Sequence, residues 1–308
     1  MSTQDYSYET HQPVRIGAGS FATVYAWRGG PLAFKVAAAP GNCAVIHQEF
    51  EMLRMLYAQS STASLFRLPK PYAFYDPGTS TVILNDGHLQ SNRTPSPGHR
   101  PTIANPLRGI TTDGAAYAMD RIHVVPFEVG SVIKERFYPS FATPQAPPPS
   151  LCRLYFGEWP ESLRVSRFFS AKHFALNPTQ YADLCGAFSE LESAKDVAKG
   201  MGDMLARIHW RAGFDARDVE FGMGGDGIQE ITYYMRAFSK DIEDIQQLVK
   251  AHFQNDPYFP CARDSDPLFP SFKEGYLNAC GGFVEGGRAF IAAALLEQLL
   301  RDTRDQLT

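Results

Sequence analysis

Residues 14 to 57 constrain the fold more than any other part of this 308-residue chain. A strand from Val14 is followed by two more strand-like runs, Ala22 to Trp27 and Leu32 to Ala37, which are separated by the Gly29-Gly30 pair. Short apolar runs joined by glycine turns are typical of antiparallel hairpins. Apolar residues then recur at helical spacing in A-V-I-H-Q-E-F-E-M-L-R-M-L-Y-A. The pattern predicts a three-stranded antiparallel meander followed by a helix.

The first turn of this meander is rich in glycine, within the stretch R-I-G-A-G-S-F-A-T-V-Y at residues 15 to 25. The third strand, L-A-F-K-V, carries a single lysine, Lys35. Phosphate-binding loops combine such a turn with a lysine, but a lone G-x-G pattern is also common in ordinary turns between strands. The stretch alone leaves both interpretations open.

The remaining chain separates into a strand-rich part and a helix-rich part. Further strands are predicted at Ala73 to Tyr75 and Ala115 to Ile122, and the Ser, Pro, Gly, Asn and Arg-rich residues 76 to 113 between them predict a long loop. A Pro-rich insertion at residues 139 to 150 precedes the strand-like L-C-R-L-Y-F-G. Beyond about residue 160 we predict helices, including one at the C-terminus. Another has an apolar face formed by Val197, Met201, Met204, Leu205 and Ile208.

Composition excludes several classes of partner. The formal net charge is -4 and the pI is about 6.1, so no global basic field favours nucleic acid or an anionic membrane. The N-terminus is polar and no run of about 18 apolar residues could span a bilayer, which predicts a soluble, cytoplasmic protein. The five cysteines are scattered and the eight histidines form no ligand pair at helical spacing, so neither a metal nor a cofactor is predicted.

The order of features resembles the small lobe of protein kinases, in which a Gly-rich turn precedes a lysine strand and a helix that carries a glutamate. Lys35 and Glu49 match that lysine and glutamate. The alternative is a surface lysine and a solvated helix glutamate. The resemblance implies that Gly17, Gly19 and Phe21 contact a ligand, and that the fold is α+β and bilobal, with an antiparallel-sheet N-lobe and a mainly helical C-lobe.

Two later segments extend the resemblance. A-Y-A-M-D-R-I resembles the strand that enters the kinase hinge, which implies that backbone groups from Met119 to Arg121 face an adenine or another planar ligand. The implied lobes are residues 1–123 and 124–308. L-A-R-I-H-W-R-A-G-F-D-A-R-D-V-E-F resembles the run into the catalytic loop, with Ala216-Arg217-Asp218 in place of H-R-D. Asp218 then matches the catalytic aspartate, and a turn or helix-capping aspartate is the alternative.

A closer resemblance covers most of the second lobe. R-F-F-S-A-K-H-F-A-L, the L-A-R-I-H-W segment through G-M-G, and N-D-P-Y-F-P resemble a family of uncharacterised fungal kinase-like proteins, some of which are loosely labelled zinc-finger proteins. The cysteine pattern gives that label no support here. The resemblance implies a fungal origin and a kinase-like fold, and it brings no established reaction.

The residues that would bind magnesium in a kinase are missing. The loop asparagine, about five residues after Asp218, is replaced by Met223, and a thioether is a poor ligand for a hard cation. The next strand, I-T-Y-Y-M-R-A-F-S, has Ala237 in place of the D-F-G aspartate. Asp226 and Asp241 would replace these ligands only if the alignment is shifted. Magnesium supplies much of the electrostatic stabilisation in phosphoryl transfer, so ordinary kinase activity is not expected.

Three functions remain open. In the first, the kinase-like scaffold binds a hydrophobic small molecule and acts as a metal-free cyclase or isomerase, for example in a Diels–Alder-type ring closure of fungal secondary metabolism. Asp218 would be the general base or hydrogen-bond acceptor, and Lys35 would polarise a carbonyl. In the second, the chain is a pseudokinase that binds or regulates a protein partner. In the third, it is a divergent ATP-dependent kinase.

Overall fold

The computed structural model describes residues 13–59, 64–85, 89–91, 107, 113–158, 170–228, 230–238, 241–242, 244–255, 257–281 and 288–305. They form a mixed α+β structure with a seven-stranded and a four-stranded sheet. The chain divides into two compact units, the first formed by the described residues of Met1–Tyr57 and Pro69–Arg121, the second by those of Ala58–Leu68 and Ile122–Thr308. The division after Arg121 lies close to the predicted boundary after residue 123.

The first unit is built on the seven-stranded sheet, whose strand order is β1-β2-β3-β7-β4-β5-β6. All neighbouring strands in it are antiparallel. A 3₁₀ turn at Pro40–Asn42 leads from the third strand into helix α1 (Cys43–Gln59), so the predicted meander and helix are confirmed. The strands are β1 (Val14–Ala18), β2 (Ala22–Ala26), β3 (Leu32–Ala37), β4 (Pro71–Asp76), β5 (Thr81–Leu84), β6 (Leu89–Ser91) and β7 (Ala116–Asp120).

Strands β5 and β6 lie inside the segment that the sequence predicted to be a long loop, so that prediction was wrong for these residues. The run T-V-I-L of β5 pairs with β4 and buries Val82 and Leu84. These two side chains join Phe34 of β3 in one apolar cluster. The polar and glycine-rich residues on either side dominated the composition of the segment and concealed a short β-branched strand.

Helix α1 is fixed to this sheet by aromatic packing. The Phe50 ring of α1 is fully buried and lies 5.5 Å from the Phe74 ring of β4 and 5.9 Å from the Tyr117 ring of β7. Truncation of such a buried ring costs about 3–5 kcal/mol of folding free energy. The contact sets the height and rotation of α1 above the sheet, and hence the position of every side chain on its inner face.

The second unit contains the four-stranded sheet, in the order β11-β10-β8-β9. Strands β8 (Leu151–Leu154) and β9 (His173–Leu176) are parallel, and β10 (Asp218–Gly225) and β11 (Ile231–Phe238) form an antiparallel hairpin. The prediction that the chain is helical beyond about residue 160 was therefore wrong at β9 and β10. The glycines of β10 did not suggest a strand, but they allow close packing, since a Cβ on Gly222 would lie 2.8 Å from the Cys152 carbonyl oxygen.

Six helices complete the described part of the second unit. The predicted apolar helix is confirmed as α4: four of its five predicted core residues are buried in α4, and the fifth, Ile208, is buried at the start of the π-helical turn Ile208–Ala212 that follows. It begins after Ser193, whose hydroxyl accepts a hydrogen bond from the Asp196 N–H at 3.2 Å. The predicted C-terminal helix is α7. The helices are α2 (Phe127–Phe137), α3 (Pro178–Ala187), α4 (Ala194–Arg207), α5 (Ile245–Gln254), α6 (Phe269–Gly281) and α7 (Arg288–Asp305). None of these described helices, nor α1, combines the length and apolar content that a membrane crossing requires.

Helices α4 and α6 cross in backbone contact at two glycines. A Cβ on Gly202 would lie 2.0 Å from the Phe272 carbonyl oxygen, and a Cβ on Gly275 would lie 2.0 Å from the Lys199 carbonyl oxygen. No side chain larger than hydrogen fits at either position unless the helices separate. The crossing thus fixes α4, and with it the segment that follows α4.

Residues 64–68 leave the first unit and join the second. The Arg67 N–H donates to the Tyr233 carbonyl at 2.9 Å, and the Met235 N–H donates to the Arg67 carbonyl at 3.1 Å. The Phe66 ring packs on Phe221 with 4.6 Å between ring centroids. A short piece of chain between α1 and β4 therefore extends the sheet of the second unit at β11.

Candidate functional site

In the first unit, Lys35 and Glu49 form an ion pair between β3 and α1. Both side chains are only 14% exposed. The strand places Lys35 between Val24 of β2 and Tyr117 of β7. A buried charge is costly without its partner: removal of one member of a fully buried pair costs about 3–5 kcal/mol, and a pair with this exposure is expected to lose somewhat less. The sequence prediction that these two residues meet is confirmed by this contact.

The Gly-rich turn connects β1 to β2 as predicted. Its Gly19 N–H donates to the Ala22 carbonyl at 2.8 Å, and the Phe21 carbonyl accepts from the Ala38 N–H at 2.9 Å and from the Asn42 amide at 3.2 Å. The Phe21 side chain is 57% exposed. A Cβ on Gly17 would make only ordinary contacts, and one on Gly19 would meet nothing within 4 Å. Packing inside the unit therefore does not require either glycine, whereas close approach of a ligand to the backbone would.

The backbone at the end of β7 is hydrogen-bonded within the first unit. The Asp120 N–H donates to the Lys70 carbonyl at 3.0 Å, and the Arg121 N–H donates to the Pro31 carbonyl at 2.8 Å. The N–H groups of Asp120 and Arg121 are thus both engaged within the unit. The side chain of Met119 is buried.

The side chains at this strand end form hydrogen bonds within the first unit. The Arg121 guanidinium donates to the Trp27 carbonyl at 3.1 Å and the Gly30 carbonyl at 3.4 Å, so it closes the β2–β3 turn. The Asp120 carboxylate accepts from the Tyr72 hydroxyl at 2.8 Å. Burial, together with the hydrogen bond to Asp120 and its charge, raises the pKa of Tyr72 to about 12. Arg121, a predicted ligand residue, thus adds donors to carbonyls of this turn, one of which, that of Trp27, also accepts from the Gly30 N–H at 3.1 Å.

In the second unit, Asp218 is the first residue of β10 rather than part of an extended catalytic loop. It pairs with Phe238 of β11, and it is exposed. Side chains alternate along the strand, so Met223, which is buried, lies on the opposite face from Asp218. Glu220 is on the same face as Asp218 and forms an ion pair with Arg153 at 3.2 Å. Met223 is thus a core residue and does not stand beside Asp218.

Asp215, which was not among the predicted site residues, organises the turn before Asp218. Its carboxylate is fully buried and forms an ion pair with Arg217. It also accepts from the Arg217 Nε at 2.8 Å and from the Gln247 amide at 3.0 Å. Between these residues Ala216 has φ +54°, a left-handed conformation that costs a non-glycine residue about 1–3 kcal/mol. A buried, multiply bonded carboxylate stabilises this turn, and the spacing Asp-x-Arg was the one signal in the sequence.

A histidine beneath this turn is buried and neutral. His209 Nδ1 lies 2.8 Å from the Tyr276 hydroxyl of α6, which also accepts from Trp210 Nε1 at 2.9 Å. Trp210 Nε1 can only donate, so the Tyr276 hydroxyl accepts that bond and keeps one lone pair and its own hydrogen for the contact with His209, whose tautomer sets the direction. Burial, with the nearby His252, lowers the pKa of His209 to about 3, against the opposing effect of the Asp215 backbone and carboxylate. The turn that presents Asp218 therefore rests on a fixed, uncharged imidazole.

Metal ligation is not evident in the described residues. No three of their His, Cys, Asp or Glu side chains are grouped so that they could hold a metal ion. Asp226, one possible substitute ligand, accepts from the Ile228 N–H at 2.7 Å and the Glu230 N–H at 3.1 Å in the β10–β11 turn. Asp241, the other, forms a bridge with Phe214. Both residues have local structural roles.

Comparison with known proteins adds no relative. No family model, no curated protein sequence and no solved structure matches this chain.

Proposed function

We propose that the chain is a bilobal kinase-like protein that no longer transfers phosphoryl groups and binds a hydrophobic small molecule instead. The observation that carries the proposal is the Lys35–Glu49 ion pair, which joins the third strand to the following helix. A Gly-rich hairpin precedes it, with an exposed Phe21. In the kinase-like interpretation these groups, once used for nucleotide phosphates, contact an uncharged ligand.

The residue types argue against magnesium-dependent chemistry. Met223 is a buried core residue, and the chain has alanine at position 237. Phosphoryl transfer depends on a cation that bridges the phosphates and neutralises their developing charge. The proposed reaction is therefore one that needs shape and a few hydrogen bonds, namely a cofactor-independent cyclisation or isomerisation such as a Diels–Alder-type ring closure in fungal secondary metabolism.

The proposal gives two residues a chemical role. Asp218, exposed at the start of β10, is the general base or hydrogen-bond acceptor. Lys35 donates a hydrogen bond that polarises a carbonyl, and Glu49 keeps its ammonium group oriented. Asp215 and Arg217 would act only indirectly, because they hold the turn from which Asp218 emerges.

The test is a comparison of metabolites in the producing host. Replacement of Asp218→Ala or Lys35→Met is expected to cause accumulation of an uncyclised precursor and loss of its product, as measured by liquid chromatography and mass spectrometry. Asp183→Ala is the matched control, because Asp183 is an exposed carboxylate, 52% accessible, in α3. An unchanged profile in the Asp218 and Lys35 variants, with protein levels maintained, would exclude the catalytic role.

A second candidate is a pseudokinase that acts as a binding or regulatory module. It is favoured by the hydrogen bonds of the Asp120 and Arg121 N–H groups, which both donate to carbonyls of the first unit. A protein of this kind would bind nucleotide weakly or not at all. Calorimetric titration with ATP, with and without magnesium, is expected to show no heat above dilution, and submicromolar binding would count against this candidate.

The third alternative, a divergent ATP-dependent kinase, makes the opposite prediction. It requires a magnesium-dependent rise of the melting temperature in the presence of ATP, since a ligand that binds only the folded state stabilises it. Absence of any shift at millimolar nucleotide would exclude it.

A further inference from the structure

The second unit carries an open pocket, with a mixed polar and apolar lining, that the proposed function does not use. Its volume is about 190 Å³, and it is lined by the segment that enters α2 and by the β10–β11 turn. Val124, Phe127 and Ile228 line it and are 59%, 73% and 87% exposed. Single exposed apolar side chains are common, but three at one concave site indicate an interaction surface.

The walls of this pocket are fixed by backbone contacts. The Gly225 N–H donates to the His123 carbonyl at 2.9 Å, and the Val125 N–H donates to the Ser150 carbonyl at 2.9 Å. Gly227 has φ +94°, and a Cβ there would lie 3.0 Å from the His123 ring. Because the pocket is already formed, a partner that enters it orders little of the protein, and more of the contact energy remains as affinity.

The two chain segments that line the pocket are negatively charged. The two lining segments continue as H-V-V-P-F-E at residues 123–128 and G-D-G-I-Q-E at residues 225–230. They carry three carboxylates, those of Glu128, Asp226 and Glu230, and neither contains Lys or Arg. Glu128 and Glu230 are exposed. A partner with positive charges beside its apolar group is therefore complementary to this surface.

The size of the pocket selects the kind of partner. Small-molecule sites usually enclose about 300–1,000 Å³. At about 190 Å³ this pocket is smaller, and it suits a single large side chain. We propose that it is a docking site for a short basic segment of another protein, which inserts one Leu, Phe or Met side chain beside Val124, Phe127 and Ile228. Lysines or arginines on either side of that residue would lie near Glu128 and Glu230. This inference is independent of the proposed function.

The test uses the full chain and defined peptides. The probes are three fluorescein-labelled nine-residue peptides with a central Leu, Phe or Met and two lysines on each side, measured by fluorescence anisotropy in low salt. At least one is expected to bind with a Kd of about 10–100 µM, as in a small transient contact. A central serine should weaken binding about tenfold, and glutamates in place of the lysines should abolish it.

Substitutions in the protein locate the site. Phe127→Ser and Ile228→Ser should each weaken binding about tenfold, and Glu128→Gln with Glu230→Gln about threefold with a smaller salt dependence. Phe141→Ser is the matched control, because Phe141 is 58% exposed and does not line the pocket, and it should leave the affinity unchanged. Melting temperatures would establish that each variant is folded.

Three outcomes would overturn the inference. One is the absence of binding by all three peptides at 500 µM, about five times the upper end of the expected Kd range. Another is equal affinity of the wild type and Ile228→Ser. The last is a wild-type dimer in light scattering that Ile228→Ser dissociates, which would assign the pocket to a second copy of the chain.

Discussion

The two charged centres of this protein are stabilised in different ways. In the first unit, the Lys35–Glu49 pair joins a strand to a helix, and both side chains are equally enclosed, at 14% exposure. In the second unit, the Asp215 carboxylate is fully buried, whereas its partner Arg217 remains 30% exposed. Gln247 of α5 adds a further donor to Asp215. One centre is a symmetrical pair, and the other is a buried anion served by several donors.

This difference determines what each centre can do. The nearly enclosed pair orients β3 and α1, and removal of either residue leaves an unpaired charge that lowers the free energy of unfolding. A buried carboxylate with several donors instead fixes a local turn, including the left-handed Ala216, and its exposed arginine can still reach water. The first arrangement suits a site that holds a ligand group, and the second suits support of a neighbouring residue.

A fall in pH should lower the free energy of unfolding of the second unit before that of the first, and this is the largest of the expected effects. Burial lowers the pKa of His209 to about 3 and that of His252 to about 4, from 6.5. The unfolded chain therefore binds more protons below pH 6.5, and stability falls as the pH drops toward the folded-state values. Each imidazole lowers the free energy of unfolding by about 1.4 kcal/mol for each pH unit in that window, and together they lower it by several kcal/mol at pH 4.

Urea unfolding at pH 7, 6, 5 and 4.5 would measure this loss. In a Trp27→Phe/Trp159→Phe variant, the fluorescence of Trp210 reports on the second unit. In a Trp159→Phe/Trp210→Phe variant, the fluorescence of Trp27 reports on the first unit. His252→Phe should reduce the pH slope by about one proton, because His252 stacks on Phe259 at 5.0 Å and a phenyl ring fits that contact. A slope that is unchanged in this variant would contradict the assignment.

Replacement of the buried anion should have the next largest effect. Asp215→Ala removes the buried carboxylate that accepts from Arg217 and Gln247 and releases the Ala216 turn, so we expect a loss of about 2–4 kcal/mol of unfolding free energy. Asp218→Ala is the matched control at an exposed position and should change it by less than about 0.5 kcal/mol. Equal losses in the two variants, measured by urea titration, would show that burial does not distinguish the two aspartates.

Disruption of the Lys35–Glu49 ion pair should lower the free energy of unfolding somewhat less than Asp215→Ala does. Lys35→Met leaves Glu49 without its partner at 14% exposure, and about 2–3 kcal/mol of unfolding free energy should be lost. The double variant Lys35→Met/Glu49→Leu should recover most of that loss, because no unpaired charge remains. Losses that simply add in a double-mutant cycle would contradict the coupling.

The smallest effect is expected at Arg121. Arg121→Met removes the guanidinium donors from the Trp27 and Gly30 carbonyls but retains the apolar stem, so we expect a loss of about 1 kcal/mol. Hydrogen exchange of amides in the β2–β3 turn should increase, and that of β4 and β5 should not. A loss of ligand binding without any change in this turn would instead support the predicted ligand role of Arg121.

The first unit was largely predictable because its signals are local in the sequence. Glycine turns, alternating strands and one helical period define β1, β2, β3 and α1, and the order of these elements brings Lys35 to Glu49. Strand β5 was not predicted, because four residues within a polar segment carry too little periodicity to stand out.

The second unit was less predictable because its structure depends on contacts between distant residues. Strand β9 forms because it pairs in parallel with β8. The glycines of β10 are needed because carbonyl oxygens of distant residues lie close to their Cα atoms. Apart from the Asp-x-Arg spacing, nothing in the sequence indicates that Asp215 is buried, since an aspartate in the short run G-F-D-A-R is typical of a solvated turn. As a result, Asp218 was assigned to a loop although it begins a strand.

The position of residues 64–68 in the second unit limits how this protein can be divided and how it is made. A ribosome completes this segment well before α4, where Leu65 and Phe66 lie close to Gly200, and before β10 and β11, where Phe66 packs on Phe221 and Arg67 is hydrogen-bonded. The nascent chain therefore exposes these apolar side chains as a patch until α4, β10 and β11 have been synthesised. A shortened protein that stops after residue 123 would keep that patch permanently, and one that starts at residue 124 would lack part of its own core. The two units are therefore not separable gene segments.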